Sequence, residues 1–78
     1  MRLKIIATNF TTEHEWIFKL VDENNYIFYI MDDPFYKKHN LKSPITKKEL
    51  DYYDKGQWIN AYALEIENKN IVIKYDGG

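Results

Sequence analysis

The sequence predicts a mainly β domain with one short helix, in the order β-β-β-α-β-β, curled into a five-stranded small barrel. Three observations lead there. Five apolar runs alternate with polar connections rich in Asn, Asp and Lys. The stretch from Gly56 to Tyr75 reads as a long β-hairpin, and such pairs of alternating runs are the strongest strand signal. The central pair of runs is apolar on both faces, so its sheet has no face fit for water. One short helix cannot cover an open five-stranded sheet on both sides; closing the sheet covers one face and removes its edges.

Arg2 to Thr8 alternates in part, with Leu3, Ile5 and Ala7 against Lys4, Ile6 and Thr8, and is expected to be the first strand. Asn9 to Glu13 is a polar connection carrying Phe10. Trp16–Val21 and Tyr26–Met31 are expected strands two and three, joined by Asp22-Glu23-Asn24-Asn25, residue types that tolerate left-handed turns. Pairing Val21 with Tyr26 or Leu20 with Tyr29 puts Trp16, Phe18, Leu20, Ile27, Tyr29 and Met31 on one face. Ile17, Lys19, Val21, Tyr26, Phe28 and Ile30 then share the other.

Asp33-Pro34 is a helix start, with Asp as N-cap and proline at the first helical position. It allows a single turn through Phe35-Tyr36-Lys37-Lys38-His39, ended by Asn40. The principal helix is expected to follow Ile45. Thr46 and Glu49 have the spacing of a capping box, and Ile45 and Leu50 that of a hydrophobic staple. About two turns would run to Gly56, a residue suited to a left-handed helix end. Strands four and five would pair about an Asn68-Lys69 turn, placing Ile66, Leu64 and Tyr62 opposite Ile71, Ile73 and Tyr75. Trp58 joins the same buried row, with Ala63, Glu65 and Lys74 on the opposite face.

At 78 residues the chain is expected to be one domain, residues 1–76, followed by a glycine tail, 77–78. It contains no cysteine, which removes disulfides and thiolate metal sites. Seven Tyr, four Phe and two Trp must then supply much of the core. The net charge of −1 argues against a strongly electrostatic nucleic-acid binder but leaves room for a local basic patch. Such a patch is visible. Between Pro34 and Lys48 there is no acid, yet Lys37, Lys38, Lys42, Lys47 and Lys48 occur. The first residues lead into no long apolar run, so neither a signal peptide nor a membrane-spanning helix is expected. With the lack of cysteine, that favours the cytoplasm.

Three meandering strands, a helix before strand four and a closing hairpin resemble the OB-fold, a small Greek-key barrel. The resemblance is one of order and pattern across nearly the whole chain. An SH3-like barrel or an open α+β sheet shares the strand count. The Gly77-Gly78 end is superficially similar to the ubiquitin tail, but the third strand departs from ubiquitin's order.

The OB-fold resemblance implies a binding surface on strands two and three and their flanking loops. Lys19, Tyr26 and Phe28 fall there, the rings to stack bases and the ammonium to meet phosphate. The competing reading assigns Val21, Phe28 and Ile30 to a core reached by a bent strand. Lys37, Lys38, Lys42, Lys47 and Lys48, interleaved with Phe35, Tyr36 and His39, would track a phosphate backbone or else form a solvated face. Trp58 is the remaining stacking candidate. His14 and His39 are too few for a metal site, Asp51 and Asp54 carry no sign of separated acidities, and Ser43 has no adjacent base. Catalysis, a metal and a small-molecule cofactor are therefore not expected. The expected function is binding of single-stranded nucleic acid. The alternative is a protein-interaction or self-associating module using the same aromatic surface, a type that the Lys-, Asn- and Ile-rich composition would suit in phages or mobile elements.

Overall fold

A computed structural model describes residues 1–76; the Gly77-Gly78 tail lies outside the described residues. The strands are β1 (Arg2–Thr8), β2 (Trp16–Val21), β3 (Ile27–Met31), β4 (Trp58–Ile66) and β5 (Lys69–Tyr75), with helix α1 (Asp33–Lys38) after β3. They form a closed barrel in the order β1-β2-β3-β5-β4, and β4 pairs back onto β1 through Leu3 and Ile59. Closure excludes the open sheet, and the order is OB-like, with the helix between strands three and four. Three register shifts, at Ile5/Ala7, Trp16/Phe18 and Tyr62/Ala63, bend the strands into the ring.

The ring closes through one weak seam. The parallel β3–β5 pair has a single backbone bridge, Tyr29 to Ile71. Side chains complete it on either side. Asn70 Nδ2 donates to the Ile27 carbonyl at 3.2 Å. Beyond the bridge the Tyr36 hydroxyl accepts from the Met31 N–H at 3.3 Å and donates to the Val72 carbonyl. One phenol thus satisfies a donor and an acceptor that two diverging strands would leave unmatched.

The barrel interior is filled by Leu3, Ile5, Phe18, Leu20, Phe28, Ile30, Ile59, Ala61 and Val72, with Ile45 packed among them from the connector. A second cluster of Met31, Phe35, Tyr36 and Ile71 fixes α1 to β3 and β5. The helix begins one residue earlier than expected. Asp32, not Asp33, is the N-cap, its Oδ1 accepting from the Phe35 N–H at 2.9 Å. Asn40, at φ 56°, ends the helix in the left-handed conformation, and the Leu41 N–H returns to the Tyr36 carbonyl at 2.8 Å.

The expected two-turn helix after Ile45 is only a 3₁₀ turn, Glu49–Tyr52. Half of the capping box exists: Thr46 Oγ1 accepts from the Glu49 N–H at 3.3 Å. The reciprocal bond from Glu49 to the Thr46 N–H is not made among the described residues. Packing overrides the local signal. Tyr53 leaves helical geometry at φ −100°, ψ 133°. There it stacks on Tyr75 (centroids 5.3 Å apart, planes 3° apart) and meets the edge of Phe18 at 6.3 Å. A short helix with two lysines in its first turn has too little stability of its own to resist. Gly56 does not end that helix. At φ 93° it turns the chain into β4, its N–H donating to the Ile5 carbonyl at 2.7 Å.

Both hairpins differ from expectation in register. The β4–β5 turn is Glu67-Asn68, with φ of 53° and 63°. These are the two positive φ values that a tight two-residue hairpin turn requires. Ile66 therefore faces Lys69, and Leu64 faces Ile71. The core-facing row of β4 is Ile59, Ala61 and Ala63, whereas Trp58, Tyr62 and Leu64 point outward. Phe18 and Phe28 already fill the narrow interior, so alanines fit where tyrosine and leucine would not. In β2–β3, Phe18 pairs with Ile30, Leu20 with Phe28 and Lys19 with Tyr29. That is one residue from the expected pairing, enough to exchange the faces of β3. The intervening turn is as expected: Asp22 Oδ1 accepts from the Asn24 and Tyr26 N–H groups, and Asn25 is left-handed at φ 66°.

Candidate nucleic-acid interface

The exchanged face of β3 gives the outer β2–β3 surface its character. The shift at Trp16/Phe18 lets Phe18 enter the core while Trp16 stays half-exposed outside. Tyr29 lies beside Trp16, with centroids 6.1 Å apart. His14 continues the series, stacked on Trp16 at 6.1 Å with planes 17° apart. The β1–β2 loop that carries His14 is pinned at both ends. The Asn9 N–H donates to the Ile17 carbonyl at 2.7 Å, and the Glu15 carbonyl accepts from the Asp32 N–H at 2.7 Å. Within the loop, Asn9 Nδ2 holds the Trp16 carbonyl, and Asn9 Oδ1 accepts from the Thr11 hydroxyl.

Lys69, just past the β4–β5 turn, joins His14, Trp16, Tyr29 and Met31 around a hollow of about 200 Å³. Lys19 pairs with Tyr29 across the β2–β3 ladder and so shares its face. Val21 and Ile27 extend that face to the hairpin end, where Tyr26, 64% exposed, precedes β3. The result is a row of rings flanked by two ammonium groups, between the β1–β2 and β4–β5 connections. At the far rim, Glu67 lies 3.6 Å from both Lys38 Nζ and His39 Nε2. That pairing offsets the acid closest in sequence to Lys69.

The residues named from sequence scatter. Lys19 lies on this surface, and Tyr26 is exposed at the hairpin turn ahead of β3. Phe28 is in the barrel core and Tyr36 in the β3–β5 seam, so neither offers a ring to a ligand. The register exchange buries the first, and the seam's unmatched backbone groups recruit the second. Lys37 and Lys38 are exposed on α1, and Lys48 is exposed ahead of the 3₁₀ turn. Lys47 lies beside Asp32 and Asp33 at a mainly apolar hollow. The lysines therefore do not form one track. Trp58 is across the barrel on β4, under the Arg2 guanidinium at 4.7 Å. Sequence alone singles out none of Trp16, Tyr29 and Lys69, and weighs His14 only as a metal ligand. Tyr29 is turned outward by the one-residue β2–β3 register and Trp16 by the shift at Trp16/Phe18, neither of which an apolar pattern on both faces specifies.

Among the described residues no group of three or more His, Cys, Asp or Glu could hold a metal ion, and no helix is long and apolar enough to cross a membrane. Comparison with family models, curated proteins and solved structures finds no match. The protein is thus placed in a class by its own geometry: a small OB-like barrel with an aromatic, lysine-flanked outer face.

Proposed function

We propose that the chain binds single-stranded nucleic acid across the outer β2–β3 face, in the cytoplasm and without catalysis. The observation that carries this reading is the His14–Trp16–Tyr29 ring series with Lys19 and Lys69 beside it. Bases stack on such rings whatever their sequence, at about 1–3 kcal/mol each, while ammonium groups meet the backbone. The face also lies where small barrels of this order take oligonucleotides. The absence of cysteine supports the compartment.

Trp58→Phe leaves Trp16 as the sole tryptophan. Titrating that variant with an unstructured oligonucleotide at low salt should change its fluorescence, and Tyr29→Ala should weaken binding by about tenfold. No fluorescence change at micromolar protein would end the proposal.

A second reading rests on a different surface. Trp58, Tyr62 and Leu64, 39–49% exposed, form an outward apolar row on β4, a feature that suits protein contact or self-association. Sedimentation at rising concentration tests the latter: a strict monomer removes it.

A further inference from the structure

A larger hollow than the one on the β2–β3 face lies elsewhere. It is a groove of about 760 Å³ between the end of β5 and the connector, lined by Lys42, Ser43, Pro44, Glu49, Tyr52, Tyr53, Ile73, Lys74 and Tyr75. That volume is within the range of small-molecule sites, about 300–1,000 Å³. We propose that this groove is a separate binding site for a nucleoside phosphate, a planar base joined through a sugar to a phosphate.

Each part of that ligand has a counterpart. Tyr52 is 78% exposed, so its ring face is free to stack. Its neighbour Tyr53 is already committed to Tyr75, and that parallel pair forms a rigid wall. Lys42 and Lys74 supply two ammonium groups from different elements; neither has an ion-pair partner among the described residues, and Lys74 Nζ lies 6.0 Å from the Tyr62 ring, a contact that a phosphate would draw it from. Two cations against the single Glu49 leave the groove positive, as a phosphate requires. Glu49 is likewise without an ion pair there, and a carboxylate so placed suits sugar hydroxyls or a base amino group. The Tyr75 hydroxyl, buried behind the groove wall, has no hydrogen-bond partner among the described residues. An apolar ligand would leave both ammonium groups and Glu49 unanswered, and inorganic phosphate would leave Tyr52 unused.

The site does not depend on the β2–β3 face, and the test separates them. The full chain is titrated with adenosine monophosphate, adenosine and inorganic phosphate, each followed by amide and aromatic nuclear magnetic resonance. Adenosine monophosphate should shift residues 42–44, 49–53 and 73–75, binding about tenfold or more tighter than either fragment, since ring and phosphate act together. Tyr52→Ala and the double change Lys42→Ala, Lys74→Ala should each weaken it about fivefold or more. Tyr29→Ala should leave it unchanged. Lys42, Tyr52 and Lys74 are exposed and Tyr29 is half-buried, and retained spectral dispersion verifies folding of each variant. A 5′-phosphorylated oligonucleotide compared with its 5′-hydroxyl counterpart distinguishes a strand end from a free nucleotide as the source. The proposal is overturned if groove resonances stay still at millimolar nucleotide. It is also overturned if phosphate alone binds as well, or if Tyr29→Ala abolishes the shifts.

Discussion

Tyr36 and Tyr75 show how two buried phenols can have opposite consequences. The Tyr36 hydroxyl joins Met31 and Val72 across the seam, whereas the Tyr75 hydroxyl has no partner among the described residues. Tyr36→Phe leaves a backbone N–H and a carbonyl unmatched and should cost about 2 kcal/mol, within the usual penalty for buried unsatisfied groups. Tyr75→Phe removes an unsatisfied group while keeping the ring stacked on Tyr53. Its urea midpoint should equal or exceed the parent's. Both phenols have pKa values pushed above the ordinary one, so each holds its proton more tightly than in the unfolded chain. For Tyr36 burial is the main cause, partly offset by the Met31 hydrogen bond; for Tyr75 it is burial, then Tyr53, Tyr36 and Glu49. The unfolded chain loses these protons near pH 10 while the folded chain keeps them. Their contribution is complete below that pH and lost as pH rises above it. Denaturant midpoints should therefore fall above about pH 10, and Tyr75→Phe should fall less steeply than the parent.

The two N-caps make a similar contrast among elements. Asp32 accepts from Phe35 at 2.9 Å at the start of a helix that is packed through Phe35 and Tyr36. Asp32→Ala should cost about 1 kcal/mol in a denaturant melt. Thr46 makes a longer, exposed bond of 3.3 Å at a single 3₁₀ turn, so Thr46→Ala should cost about 0.5 kcal/mol, the low end for caps. Equal losses would mean that the 3₁₀ turn supports the fold as much as α1 does. The order of strands was legible because apolar runs and turn residues alternate along the chain. Register was not. The chain offers Glu67-Asn68 and Asn68-Lys69 as competing turns, and composition alone favours the pair with Asn leading. The structure instead gives glutamate a positive φ and brings its carboxylate to Lys38 and His39. The β2–β3 register was equally open, because both of its faces are apolar and neither slip exposes an obvious core. That uncertainty carried through to the site, putting Phe28 outside and Tyr29 inside.

For the whole molecule, charge decides how the proposed binding should behave. The net charge is −1, so no long-range field gathers an anionic strand, and attraction must come from local cations. On the β2–β3 face these are Lys19 and Lys69. Lys38 lies at the rim but is paired with Glu67, and Lys47 is beside Asp32 and Asp33. Two phosphate contacts predict a slope of log affinity against log salt of about −1.4 for a single strand. Stacking then supplies most of the affinity, so raising salt should weaken binding modestly, and removing a ring should weaken it more than removing a lysine. Lys69→Ala should lower the slope by about 0.7 and leave the ring contribution intact. Glu67→Gln should act in the other direction, because it frees Lys38 and raises the local positive charge. A measured slope near −4 would require more phosphate contacts than this face provides. The strand would then have to run beyond it, toward Lys37 and Lys38 on α1.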